Sequence, residues 1–396
     1  MSNTQTKNVP ELRFPGFEGE YSLDIFGNLA TNKSDKFNPQ NENASIDIEL
    51  DCIEQNTGRL IKIYNSKEFS SQKNKFNPQN VLYGKLRPYL NKYYFTKKSG
   101  VCSSEIWVLK STKEDKLLNL FLYYFIQTKR YSDVASKSAG SKMPRADWGL
   151  IENIRVYFPE LCEQQKIGEF FSKLDRQIEL EEQKLELLQQ QKKGYMQKIF
   201  SQELRFKDEN GNDYPEWVVK LIGDIGKVAM NKRIYKHETS ANEEIPFYKI
   251  GNFGKKADTF ISREQFNEYK EKYPYPKKGD ILISASGSIG KTIEYKGEEA
   301  YYQDSNIVWL DHNEEVLNVF LKYFYILVKW NGVEGTTIKR LYNKNILNTK
   351  IDLPTISEQQ KIGDFFCYID NLIEIQEQKL EFLKRRKQSL LQKMFV

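Results

Sequence analysis

The sequence predicts an α+β protein built as a tandem duplication, two globules of mixed strands and helices alternating with two long helices. Three observations carry this. The stretch Phe158–Ser201 recurs without a gap as Leu353–Val396, and half of its positions are identical. Apolar residues inside it fall on an alternating four-three spacing, which is the seam of a coiled coil. The remaining segments echo each other more weakly and alternate short β-rich runs with short amphipathic ones.

The domain order that follows is 1–158 for the first globule, 159–202 for a central helix, 203–352 for the second globule and 353–396 for a C-terminal helix. The first globule opens on Glu11-Leu-Arg-Phe14, and the second opens on the same four residues at Glu203–Phe206. Further echoes follow. Gly27–Lys33 matches Gly226–Lys232, Val81–Leu90 matches Asp280–Ile289, and the strand-like Glu105–Leu109 matches Asn306–Leu310. Short helices are expected at Leu117–Phe125 and Val316–Phe324, and Gly140–Arg145 pairs with Gly335–Arg340. Each long helix begins after a proline, Pro159 or Pro354, a residue suited to helix entry but not to a continuing strand.

The seam of the central helix reads Ile167, Phe171, Leu174, Ile178, Leu185, Leu188, Tyr195 and Ile199. The C-terminal copy reads Ile362, Phe366, Ile369, Ile373, Leu380, Leu383, Leu390 and Met394. Glu181 and Lys192 interrupt the first copy, Gln376 and Lys387 the second, and a polar residue on a seam fixes register. Because each globule feeds its helix from the same end, the two seams pair antiparallel, with the globules toward opposite ends. Off the seam, Phe170, Leu180 and Leu187, with Phe365, Ile375 and Phe382, form a second apolar stripe. A solvated helix carries charge at such positions, so the stripe is expected to receive partners.

Composition bounds the function. A net charge of +6 over 396 residues permits a polyanionic partner without demanding one. Cys52, Cys102, Cys162 and Cys367 show no paired spacing and read as reduced thiols, consistent with a cytoplasmic setting. His237 and His312 are the only histidines, too few for a zinc site, so no metal site is expected. The N-terminus lacks the apolar core of a signal peptide, and no apolar run is long enough to span a membrane. No nucleophile–base set and no nuclease carboxylate cluster stands out; the chain reads as a binder rather than an enzyme.

Two motifs need weighing. Gly287-Ser-Ile-Gly-Lys-Thr292 lacks the first glycine of a phosphate-binding P-loop, since Ala285 stands there. A glycine turn that brings main-chain donors to a phosphate suits it better, with Ser284, Ser286, Ser288 and Lys291 alongside. The twice-occurring Lys-Phe-Asn-Pro-Gln-Asn (36–41 and 75–80) lacks the second proline and aromatic of an adenine-methylating loop. In the first globule, Lys85, Arg87, Tyr89, Asn91 and Lys92 combine base-reading and phosphate-binding types within eight residues. Lys142 with Arg145, and Lys339 with Arg340, are weaker candidates of the same kind. Lys384–Lys387 reads as a solvated or partner-facing stretch.

Tandem variable domains, each followed by a helix beginning Pro-x-x-x-Glu-Gln-Gln-Lys-Ile-Gly (Pro159–Gly168 and Pro354–Gly363), resemble the specificity subunit of type I restriction–modification systems. Lys85–Leu90 and Gly287–Thr292 are similar to loop motifs of its target-recognition domains. The resemblance implies a non-catalytic chain whose globules each bind half of a bipartite, asymmetric site on double-stranded DNA. It also implies that the helices fix the gap and that two methyltransferase subunits dock on them, joined by endonuclease/translocase subunits. S-adenosylmethionine, ATP and Mg2+ are then expected in those partner subunits and not here. The alternative is a structural or adaptor coiled-coil protein with protein-binding end domains.

Overall fold

The computed structural model describes residues 8–43, 45–137, 142–330 and 340–396. The chain forms two compact units, one of Met1–Lys184 with Gln376–Val396 and the other of Leu185–Ile375. Each unit therefore contains a globule, part of that globule's own long helix and part of the other long helix.

In the first unit, Ala30–Thr31, Ile106–Ser111, Val81–Gly84 and Tyr93–Phe95 make a four-stranded antiparallel sheet in the order first, last, middle pair. Asn119–Phe125 and Lys129–Ala135 are helices whose aromatic residues join Phe26, Tyr83 and Trp148 in one core. A second, five-stranded sheet consists of very short strands in the order Lys36–Phe37, Lys73–Phe76, Gly100–Cys102, Ile46–Ile48 and Tyr64–Asn65. A ribbon of Ser22–Ile25 against Arg155–Phe158 closes the globule just before the central helix.

The second unit repeats this plan. Its four-stranded sheet is Gly226–Ala229, Ile307–His312, Ile281–Ser284 and Thr292–Glu294, and its closing ribbon is Val218–Leu221 against Lys350–Leu353. Among the described residues the counterpart of the five-stranded sheet has three strands, Phe260–Ile261, Ile245–Tyr248 and Tyr301–Tyr302, with the helix Arg263–Lys272 following Phe260–Ile261 in the chain.

The central helix runs Leu161–Phe200 and the C-terminal helix Ile356–Met394. Within the first unit their paired portions are antiparallel: Lys387 pairs with Asp175 at 2.6 Å, while Gln376 donates to Glu181 at 2.7 Å. The second unit shows the same sense, with Lys192 on Asp370 at 2.5 Å and Tyr195 against Phe365 at 5.3 Å. The seam departs from expectation near each C-terminus. Met196 and Leu391 are buried there, whereas Tyr195 is 39% exposed and Leu390 half-buried. The lysines cause the shift. Lys192 and Lys387 occupy the seam themselves, so the spacing runs four-four around them instead of four-three, a stutter that locally alters the supercoil. Each lysine Nζ lies over a tyrosine ring, Tyr323 at 5.5 Å or Tyr124 at 5.7 Å, and also meets an aspartate.

The Glu-Gln-Gln-Lys-Ile-Gly element proves to be the joint between globule and helix. Glu163 is 1% exposed and takes both forks of Arg13 at 2.8 and 2.7 Å, and Glu358 takes Arg205 at 3.2 and 2.9 Å. Gln164 accepts from Leu118 N and donates to Lys116 O and Pro159 O; Gln359 does the same with Leu317, Glu315 and Pro354. A Cβ on Gly168 would stand 2.6 Å from Leu120 Cγ, and one on Gly363 would stand 2.5 Å from Val319. Glycine in a helix interior is unfavourable by about 1 kcal/mol relative to alanine, and here close packing requires it. The Glu-Leu-Arg-Phe strings supply the other side of the joint. Leu204 N donates to Lys198 O at 3.0 Å, and Leu12 N donates to the equivalent Lys393 O at 2.9 Å. The N-terminal arm thus completes the first unit as the continuous chain completes the second.

Candidate nucleic-acid interface

In each unit one surface is built by the loop that leaves the third strand of the four-stranded sheet. In the first, Gly84 N donates to Lys92 O and Lys85 N to Glu105 O, while Ala146 N donates back to Lys85 O. In the second, Ser284 N donates to Lys291 O, Ala285 N to Asn306 O, and Leu341 N to Ala285 O. Isolated bridges, Leu86 to Arg145 and Ser286 to Arg340, tie the loop to the segment ahead of the long helix in both. The candidate residues 85–92 and 142–145, and likewise 284–291 and 340, therefore converge. Lys339 lies outside the described residues.

Side chains on this shared backbone differ. Arg87 is exposed on a left-handed turn (φ 52), and Tyr89 is 55% exposed beside it. Lys85 is half-buried and Lys142 exposed. Arg145 forms a bidentate pair with Glu105 at 2.9 and 3.1 Å, whose fork holds that carboxyl below its usual range. Lys92 is turned inward, its Nζ donating to Leu50 O at 2.6 Å. Lys291 does the same to Phe253 O at 2.6 Å, so both lysines hold a neighbouring loop in place.

The serines divide. Ser284 is 1% exposed and its hydroxyl bonds the carbonyls of Ser286 and Ser288, so it shapes the glycine turn and presents nothing outward. Ser286 donates to Asn306 Oδ1 at 2.8 Å, and Ser288 is exposed at the tip. Arg340 donates to Ser305 O at 2.9 Å and lies over Tyr342. The neighbouring loops, Glu54–Arg59 in one unit and Phe253–Lys256 in the other, escaped the sequence reading. Asn56 N bonds Asn91 O, and Lys291 grips Phe253, so both loops belong to the surface. Their signal was an Asn-Thr-Gly and a Gly-Lys-Lys string, ordinary turn composition. Elsewhere in the second unit a cleft lined by Glu238, Glu243, Glu264 and Glu268 is acidic, which disfavours a phosphate backbone there.

Replacing Arg87 with alanine is expected to lower discrimination at one base pair by about 1–3 kcal/mol if its guanidinium binds a guanine edge. Equal weakening against all sequences, measured on duplex variants, would place it on phosphate instead.

Of the apolar stripe, Leu180, Leu187, Ile375 and Phe382 are 48%, 53%, 62% and 61% exposed. Phe170 and Phe365 are not part of a free face. Phe14 packs edge-on against Phe170, and Phe206 and Tyr195 cover Phe365. The Glu-Leu-Arg-Phe phenylalanines cap these two rings because the arginine beside each is drawn to the buried glutamate two turns earlier on the helix.

Among the described residues no group of His, Cys, Asp or Glu is placed to hold a metal ion, and no helix is long and apolar enough to cross a membrane. The four cysteines are free thiols.

Two variable loop surfaces on one duplicated scaffold define a tandem recognition protein. The chain belongs to the type I restriction modification DNA specificity domain family, whose model matches it twice, over residues 20–190 and 214–385. It is 42% identical over 261 residues to a candidate type I restriction enzyme specificity subunit of Haemophilus influenzae, covering 63% of each chain, a little under two thirds of that relative. It is 27% identical to the MjaVIII specificity subunit of Methanocaldococcus jannaschii over 75% of this chain and 74% of the other. The fold matches the crystal structure of an S subunit from M. genitalium, with a TM-score of 0.58 at 17% identity over 98% and 99% of the two chains. A chain solved in work on assembly and conformational transition of the type I R-M system gives 0.59 at 17%, over 94% and 97%.

Proposed function

We propose that this chain is the DNA sequence-specificity subunit of a type I restriction–modification complex. It recognises a bipartite, asymmetric site on double-stranded DNA and directs adenine methylation and restriction by partner subunits. The observation that carries this reading is the contrast within the chain. The two helices repeat without a gap at half of their positions and their joints keep the same bonding groups, whereas the loop surfaces bond alike through the backbone and differ in side chains. A repeated surface suits a partner present twice, and differing loops suit two different base sequences, because major-groove edges are told apart by donor and acceptor pattern.

In this reading two methyltransferase subunits dock on the exposed stripe, and endonuclease/translocase subunits join that assembly. S-adenosylmethionine, ATP and Mg2+ serve the partners' chemistry, and this chain supplies recognition without catalysis. Mapping methylated adenines in the host genome with and without the gene tests it. Loss of methylation at one bipartite motif is expected, and an unchanged pattern would overturn the reading. An adaptor protein would also show no salt-dependent duplex binding, which phosphate contacts require.

A further inference from the structure

The first recognition surface carries three residues in the left-handed backbone region that are not glycine: Asn56 (φ 62), Arg87 (φ 52) and Asn91 (φ 46). The second unit turns its corresponding loop on glycines. Gly287 (φ 65) stands where Arg87 does, and Gly290 (φ 78) where Asn91 does. The loop beside it turns on Gly254 (φ 72). Glycine adopts this conformation without steric cost and asparagine tolerates it, whereas arginine there is strained, and strain of this kind gathers at functional sites. The first globule thus keeps Arg87 and Asn91 at turn positions where the second carries glycine.

Two of the three meet. Asn56 N donates to Asn91 O at 3.1 Å, and Asn91 Nδ2 donates to Asn56 Oδ1 at 3.1 Å. The loops that hold them are closed independently, Glu54 N on Arg59 O and Asn91 N on Pro88 O, so the pair is fixed from both sides. Among the described residues the remaining atoms of the two amides, Asn56 Nδ2 and Asn91 Oδ1, have no partner. Turning both amides over reverses the shared bond and still leaves one amino group and one carbonyl oxygen. A donor beside an acceptor complements the N7 and N6 edge of adenine in the major groove, the pattern that a single asparagine or glutamine also recognises.

We propose that Asn56 and Asn91 together read one adenine of the half-site bound by the first globule, with Arg87 engaging a neighbouring position from the same surface. The inference rests on the DNA-specificity reading and names residues within it. The second surface has Gly287 and Gly290 at the places of Arg87 and Asn91 and turns its neighbouring loop on Gly254; among the described residues it shows no such amide pair, so it reads its half-site by other groups.

The test is selection of randomised duplexes by the full chain, comparing wild type with Asn56→Gly and Asn91→Gly. Glycine retains the left-handed turns, so each variant removes an amide while keeping the backbone. Both variants are expected to lose about tenfold of the preference for adenine at the same single position. Every other position should be unchanged, including the whole second half-site, which serves as the internal control for folding. An unchanged adenine preference in either variant, or weakening spread evenly over all sequences, would overturn the inference and leave the specificity reading standing. A wild-type chain that enriches no duplex would overturn both.

Discussion

Arg13→Met is expected to destabilise the first unit by about 3 kcal/mol, and Arg205→Met the second by a similar amount. Glu163 and Glu358 are essentially inaccessible, and each takes its charge partner through two hydrogen bonds. Tyr21 adds a third donor to Glu163 at 3.3 Å, and Trp217 Nε1 adds one to Glu358 at 3.0 Å. Removing the arginine leaves a buried carboxylate without its charge partner, and the one remaining donor does not offset its desolvation. The arginines retain 15% and 18% side-chain exposure, which places the loss at the lower end of the range for broken buried pairs. Pairing Arg13→Met with Glu163→Leu should recover most of it, because the buried charge goes with its partner. Urea unfolding of the full chain, with hydrogen exchange assigning the loss to one unit, checks this. A single-mutant loss below about 1 kcal/mol would show that Glu163 finds another partner or stays solvated.

The second large effect concerns assembly. In the first unit the Asp175–Lys387 pairing sets Leu180 level with Phe382, five residues along each helix. In the second, Lys192 on Asp370 sets Leu187 level with Ile375 in the same way. Each unit therefore presents one exposed apolar pair drawn from both helices, and the pairs are copies of one another. Leu187→Glu with Phe382→Glu is expected to weaken capture of the methyltransferase subunit on the order of 100-fold, since buried apolar anchors dominate such interfaces. Helix content by circular dichroism should not change, because both side chains face outward. Undiminished co-purification would show that the partner docks elsewhere.

The helices were legible because a seam repeat is a local pattern sustained over dozens of residues. Its one error, Tyr195 and Leu390 in place of Met196 and Leu391, arose where a lysine joins the seam by reaching an aspartate on the other helix. A spacing rule scores that lysine as a break. Antiparallel pairing followed from connectivity and is present in each unit. The five-stranded sheet was not legible, since strands of two to four residues are too short for alternation to show. At the recognition surface, sequence found the loops but not the fate of each side chain. Lys92 and Lys291 look like phosphate ligands, yet each is spent on a carbonyl some forty residues earlier in the chain. Asn56 went unnoticed for the converse reason. Its partner Asn91 is 35 residues away, and only the folded sheet brings the two turns together.

The most direct test of the account exchanges residues 15–158 for the equivalent globule of a relative with a different target, and maps methylated adenines in the host. These boundaries keep both strands of the ribbon Ser22–Ile25 and Arg155–Phe158 together. They leave Arg13 and Glu163 in place as the joint. A donor carrying tyrosine at the place of Tyr124 preserves the contact to Asp175 at 3.0 Å. If each globule reads its own half-site while the helix pair sets the gap, one half of the motif changes to the donor's sequence. The other half and the spacing stay as they were. A motif altered in both halves, or one whose gap changes with the globule, would contradict independent recognition on a common scaffold.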